Sequence, residues 1–386
     1  LRLVPLLALT VATFALGFGE LMLAGILPNI ARDLHVALPA AGQLVGAYAL
    51  TFALVSPPLA IALQRVERRT ALVAALLVVV AANAGAAAGP DFAVVLVMRI
   101  VAAVGSAAAT TLALAAVDSV SSDAARGRAH GIVFAGFSAA ATLGVPLGVL
   151  IAARWSWRDA FDAVALCALV AAVLVPLVIP AAPRGTPFGA RDLMRVLGKR
   201  PLQLTIAVSL LNLTAQYLVY TYIRPYVDAT GGFDATTVAW LLLLFGAAGT
   251  VGNIAGGALV DRYGSHGTIV GCLAGTIAVY LVFGVAMRSV LGAALVMTAW
   301  ALVSWGFAPA VNQRLAGDAE APPEIGLAFN LTAFNVGIAL GSGAGGVVIA
   351  AAGPRALPLA AIVPLLIALA CAWANPPARA SEPELR

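Results

Sequence analysis

FALGFGELMLAGILP, Phe14 to Pro28, carries a single ionisable residue, Glu20, in fifteen positions. The apolar run reaches back to Leu3, so about twenty-five residues pass with almost no charge. A helix needs ~20 apolar residues to cross a bilayer. A barrel strand would alternate polar and apolar over ~10 residues, and this run does not alternate. It reads as a first transmembrane helix ending at Pro28, and its length argues against a cleaved signal sequence.

The rest of the chain repeats that pattern. Of 386 residues, 62% are hydrophobic and only 10% charged, with a mean hydropathy of +1.00. A water-soluble domain carries roughly 25% charged residues, so most of this surface faces lipid. Spans are expected at about 3–27, 40–63, 70–89, 92–117, 129–152, 159–182, 201–224, 235–260, 268–287, 291–313, 325–350 and 356–375. The expected fold is an all-α membrane protein of twelve transmembrane helices. The one long polar break, APRGTPFGARDLMRVLGKR from Ala182, divides it into an N-terminal six-helix half (1–182), a linker (183–200) and a C-terminal half (201–375), followed by a tail (376–386). Fifteen of the 22 Lys and Arg residues fall on the side of the N-terminus, six on the opposite side, and Arg99 lies inside a span. Positive charge accumulates in cytoplasmic loops, which places both termini in the cytoplasm.

The halves repeat at a shift of 197 residues. Pro28 falls on Pro225, Arg65 on Arg262, and Gly144 and Gly148 on Gly341 and Gly345. Parallel six-helix repeats place a substrate site between the halves near the membrane midplane.

Charges inside a membrane are costly and usually functional. Sixteen of the 17 acids lie in loops, tails or span ends, which leaves Glu20; Arg99 is its basic counterpart. Each lies eight residues from an outer helix end, at Pro28 and Asp91, which puts both ~12 Å below the surface. Equal depth suggests a pair, structural or proton-carrying. The shift maps Glu20 onto Tyr217. With Asn212, Gln216 and Tyr220 this forms a polar stripe on one helix that suits a cavity wall; Asn330 and Asn335 in the eleventh span and Gln43 in the second are further substrate-contact candidates.

Small-xxx-small pairs occur at Gly42/Gly46, Gly144/Gly148, Gly252/Gly256 and Gly341/Gly345, where helix backbones can approach closely. GSGAGG at 341–346 matches a dinucleotide-binding pattern, but no strand precedes it and it sits in a span. Cys167, Cys272 and Cys371 stand singly, and His35, His130 and His266 are far apart. No metal or cofactor is expected. Basic residues are scattered, so nucleic acid is not an expected partner. No nucleophile–base pair lies in the spans, so an enzyme is not expected.

GALVDRYGSHG, Gly257 to Gly267, resembles the G-x-L-a-D-r-x-G-r-r loop signature of the major facilitator superfamily. The resemblance implies a conformational latch made by Asp261 and Arg262, with Arg65 at the equivalent place in ALQRVERR, where Gln64 replaces the Asp and Glu67 the Gly. That departure resembles the sugar-efflux and chloramphenicol-resistance-like exporters. The fifth span, ATLGVPLGVLIAARWSWRDAF, is similar to the exporter signature G-x-x-x-G-P-x-x-G followed by W-R-x-x-F. It implies that Gly144, Pro146, Gly148 and their counterparts Gly341 and Gly345 pack an interface helix. Arg99 with Gly105 resembles the fourth-helix R-x-x-x-x-x-G signature, and Glu20 with GILP resembles the first helix of twelve-helix drug:proton antiporters, with Leu21 where Phe is usual.

The resemblance covers the whole chain. It implies a monomeric, proton-coupled exporter of small organic molecules, sugars or amphipathic drugs, in a bacterial cytoplasmic membrane, driven by the proton gradient without a cofactor. A facilitator or importer of the same fold would use Glu20 and Arg99 for structure alone. A receptor or intramembrane enzyme is the rival of another class.

Overall fold

The computed structural model describes residues 3–63, 66–122, 125–180, 200–317 and 323–375. They are helical almost throughout. Eleven helices are long and apolar enough to cross a membrane, and one of them, Ala235–Ala286, has 52 residues. At 1.5 Å per residue that is ~78 Å, far more than a ~30 Å hydrocarbon core. Gly264 interrupts it with φ 73° and ψ 166°, a backbone conformation that glycine adopts without a Cβ clash. It is therefore two spans, and the described residues hold twelve.

We number the spans α1 to α12. In the first half α1 is Leu3–Leu21 continued past Met22 as Leu23–Asp33, α2 Leu38–Ala62, α3 Arg68–Ala88, α4 Phe92–Val120, α5 Arg126–Arg154 and α6 Trp157–Val178. In the second, α7 is Arg200–Tyr220 continued as Ile223–Thr230, α8 235–263, α9 265–286, α10 Val290–Gly317, α11 Pro323–Ala352 and α12 Leu357–Trp373. All but Arg200 of the expected linker, and the tail from 376, fall outside the described residues.

Side-chain caps start several helices. Asp91 accepts from the Val94 N–H at 3.0 Å and Ser156 from the Arg158 N–H at 3.2 Å. Such caps satisfy N–H groups that have no partner in the helix. Asp234, exposed at the head of α8, accepts from the Thr237 N–H; hydrogen bonds from Thr237 hold its carboxyl below the usual range. In α5 five residues, Ala140–Gly144, form a π-turn just before Pro146. Proline supplies no N–H to the helix ladder, and the wider turn accommodates that loss.

The halves join along two seams: α2 packs on α11, and α5 on α8. The seam contacts described next lie toward one end of the bundle, called here the far end, where α1 and α7 finish. In one seam a Cβ at Gly246 of α8 would lie 2.5 Å from the Ala141 carbonyl in the π-turn. In the other, the Tyr222 hydroxyl donates to Ser342 O at 2.9 Å while Ser342 Oγ donates to Gly42 O at 2.7 Å. The largest apolar core crosses the same region, taking Leu21, Ala24, Leu27, Ala31, Val145 and Val149 from the first half.

Candidate functional site

Glu20 stands two residues before the break in α1, half-buried among apolar neighbours. Leu21 and Ala24 of α1, Val45 of α2, and Tyr217, Tyr220 and Thr221 of the second half line a narrow cavity with it, too tight to hold a water molecule. The repeat placed Glu20 and Tyr217 at equal depth, and the fold brings both to one cavity across the seam. Glu20 makes no hydrogen bond or ion pair among the described residues.

Arg99 does not pair with it directly. The side chain is 1% exposed. It donates from Nη1 to the Gly19 carbonyl at 2.9 Å and from Nε to the Leu44 carbonyl at 3.4 Å, and its guanidinium lies 4.2 Å from the centre of the Tyr48 ring. It thus ties α4 to the backbones of α1 and α2. Equal depth does not fix direction around a helix axis, and here the carbonyls and the ring face claim the cation. The remaining nitrogen, Nη2, has no acceptor among the described residues. Glu20 is still near enough to interact electrostatically with Arg99, Tyr48 and Tyr217.

The second-half wall is aromatic. Tyr217 meets the edge of Tyr220 at 5.6 Å, Tyr220 stacks on Phe245 at 5.5 Å, and Trp300 touches Phe245 at 4.8 Å, Phe283 at 5.5 Å and Tyr280 at 5.7 Å. Trp300 is fully buried at the hub of this group. Offset and edge-on ring pairs contribute beyond the area they bury, so this wall is stiff.

The other expected contacts are more dispersed. Asn212 is buried with Nδ2 unpartnered. Gln216 is half-buried and outside the cavity wall. Asn330 donates to Asn312 Oδ1 at 3.3 Å, and Asn335 to its own helix at Leu331 O. Gln43 is exposed and turned back onto Pro39 O, so it is not in the cavity. Gly144 and Gly148 do not face the partner half: they receive Phe18 and Met22 of α1, while Gly341 and Gly345 receive Thr214, Leu218 and Tyr222 of α7. In both halves this stripe packs the first helix of its own half, Pro146 lies buried just after the π-turn, and other small residues, Gly42, Gly46 and Gly246, carry the seam.

Asp261 and Arg262 are exposed; Arg262 lies over its neighbour Tyr263, and Asp261 has no partner among the described residues. Arg65 falls outside them. Tyr48, Thr221, Trp300 and the Tyr222–Ser342 contact did not emerge from motifs. The repeat held a signal for the first, since Tyr48 falls on Phe245.

Above the Glu20 cavity a second one, about 100 Å³, lies between the halves at the far end, among Pro28, Asn29, Arg32, Arg224 and Asp228. Arg224 and Asp228 are ion-paired at 2.9 Å.

Comparison with known proteins agrees with this architecture. The family model described as Major Facilitator Superfamily matches residues 9–324. The inner membrane transport protein YdhP of Escherichia coli (strain K12) is 29% identical over 347 residues, 90% of this chain and 89% of that one. A chloramphenicol resistance protein of Streptomyces lividans is 34% identical over 264 residues, 67% of each chain. The crystal structure of a bacterial homolog of the human lysosomal transporter Spinster superposes with a TM-score of 0.77 over 96% of each chain at 16% identity.

Proposed function

The chain belongs to the Major Facilitator Superfamily, and from that premise we propose that it is a proton-coupled exporter of small organic molecules, of the sugar or amphipathic-drug class, working by alternating access in a bacterial cytoplasmic membrane. The observation that carries this reading is Glu20. A carboxylate in a span is costly unless partnered, and this one has neither a hydrogen bond nor an ion pair among the described residues. Beside it Arg99 keeps one unused donor. A proton on Glu20 neutralises it in the present arrangement; a rearrangement that meets the spare Nη2 suits the charged form. Proton loss and helix movement are thereby linked, which antiport requires.

With the termini in the cytoplasm, as the Lys/Arg distribution indicates, the sealed far end is the outside. Tyr217 and the phenol of Tyr220 stand at an otherwise apolar cavity, the mixture of apolar wall and few polar groups that small-molecule pockets use. The chloramphenicol resistance protein among the relatives makes chloramphenicol the first compound to try. Arg99 holds three helices together, so its first duty is to position Glu20.

The test is flux in inverted vesicles with an imposed pH gradient, using compounds chosen by a thermal-stabilisation screen that includes chloramphenicol. Concentrative uptake that collapses with the gradient supports proton-coupled export. Uptake that only equilibrates, at the same rate with and without the gradient, identifies a facilitator and overturns the proposal.

A further inference from the structure

We propose that Tyr217 is the hydrogen-bond donor that receives the Glu20 carboxylate across the two halves, which makes it a positioning residue for the proton site as well as part of the cavity wall. This rests on the reading of Glu20 as the proton carrier. The groups around Glu20 narrow the choice of donor. From α4, Arg99 is committed to two backbone carbonyls. From α2, Tyr48 lies under that guanidinium. Against the neighbouring turn, α3 brings Asn83, α5 brings Phe137 and α6 brings Val164, none of them titratable. From α7 come Tyr217, Tyr220 and Thr221.

Of the two phenols in the cavity, Tyr220 is clamped between Phe245 and Trp300. Tyr217 touches only the edge of Tyr220 among the rings. It makes no hydrogen bond among the described residues, and it interacts electrostatically with Glu20. A half-buried hydroxyl and a half-buried carboxylate that share an apolar cavity without partners among the described residues are each unfavourable alone. Together they satisfy one another, and a bond to a charged acceptor is among the stronger ones. Because the two residues belong to opposite halves and are not bonded in the present arrangement, the bond forms when movement of the halves brings the ionised carboxylate to the phenol. The repeat puts both at the same depth on either side of the seam, so rocking of the halves changes their separation directly.

No transported compound is needed for the test. Purified protein in liposomes is titrated while the infrared carbonyl band of protonated carboxyl groups is followed. The component missing in Glu20→Gln belongs to Glu20. Tyr217→Phe removes the donor and keeps the ring; it moves the midpoint of that component by about one unit toward alkaline pH, since a donor to the charged form favours that form. Tyr220→Phe leaves the midpoint in place. 3-Fluorotyrosine at position 217, a stronger donor, moves it the opposite way and covers the case in which Tyr217→Phe fails to fold. If Glu20→Gln removes no component, Glu20 does not titrate and the proton-carrier reading fails. If it removes one that Tyr217→Phe and the fluorinated residue leave unmoved, or that Tyr220→Phe moves equally, the bond to Tyr217 is overturned while that reading stands.

Discussion

The two halves share one backbone plan and fill it with opposite chemistry. Positions 197 residues apart make the contrast concrete: Glu20 against Tyr217, Tyr48 against Phe245, Asn83 against Tyr280, Arg99 against Val296, Ala103 against Trp300. In the first half a cation bridges α1, α2 and α4 through carbonyls and a ring face. In the second half an indole, set one turn further along the equivalent helix, bridges the corresponding places through rings alone. The same scaffold can therefore be locked by charge or by packing. The functional division follows: ionisable chemistry is concentrated in one half, and an apolar, ring-lined wall in the other.

Removing each lock should produce the largest effects. Arg99→Ala deletes a fully buried side chain and its ring contact, and should cost about 3–5 kcal/mol by analogy with large-to-small core changes. Arg99→Lys should cost less, since it keeps the charge but loses the planar fork. Val296→Ala at the equivalent place should cost only about 1–2 kcal/mol. Trp300→Ala should match Arg99→Ala. Thermal unfolding in detergent ranks the four, and equal losses at Arg99 and Val296 would break the comparison.

The seam comes next. A Cβ on Gly42 would fall on the Tyr222 hydroxyl. Gly42→Ala should therefore loosen the far end, and a cysteine placed at Asn29, in the cavity beside that seam, should react with an impermeant maleimide about 10-fold faster than in the parent background. Unchanged labelling would show that the Tyr222–Ser342–Gly42 contact is not what keeps the far end shut. The smallest effect is at a helix start. Ser156 caps α6, while its counterpart Gly353, with φ 79°, precedes a short 3₁₀ turn into α12. Ser156→Ala should cost about 1 kcal/mol and Gly353→Ala should cost through strain at positive φ; if Gly353→Ala proves harmless, the two starts are not the alternatives proposed.

The fold was legible in the sequence because it depends on run length and composition, and lipid leaves the backbone few choices. Even the hidden boundary at Gly264 lay inside the quoted loop GALVDRYGSHG. The meeting of Glu20 with Tyr217 was legible too, because an internal repeat carries depth from one half to the other. The direction of side chains around each helix was not. Depth put Arg99 level with Glu20 but could not say that the carbonyls of Gly19 and Leu44 would take its donors. Small-xxx-small spacing announced close approach at Gly144 and Gly341 without saying to which neighbour, and it proved to be α1 and α7 of their own halves. Gln43 was polar and at a span, yet its side chain turns back along its own helix to Pro39 O and does not line the cavity. Of the aromatic hub only Tyr220 was singled out, by its place in the polar stripe; nothing in the spacing of Phe245, Tyr280, Phe283 and Trp300 says that Trp300 touches four other rings.

The central claim is that one half carries the exchangeable charge, on Glu20, and the other does not. Glu20→Gln keeps shape and hydrogen-bonding capacity but fixes the side chain neutral. In proteoliposomes with a set pH difference, and a compound the parent concentrates, Glu20→Gln should abolish accumulation against the gradient while downhill exchange continues within a few-fold of the parent rate, and Glu20→Asp should retain part of the accumulation. Accumulation by Glu20→Gln at the parent level would contradict the account.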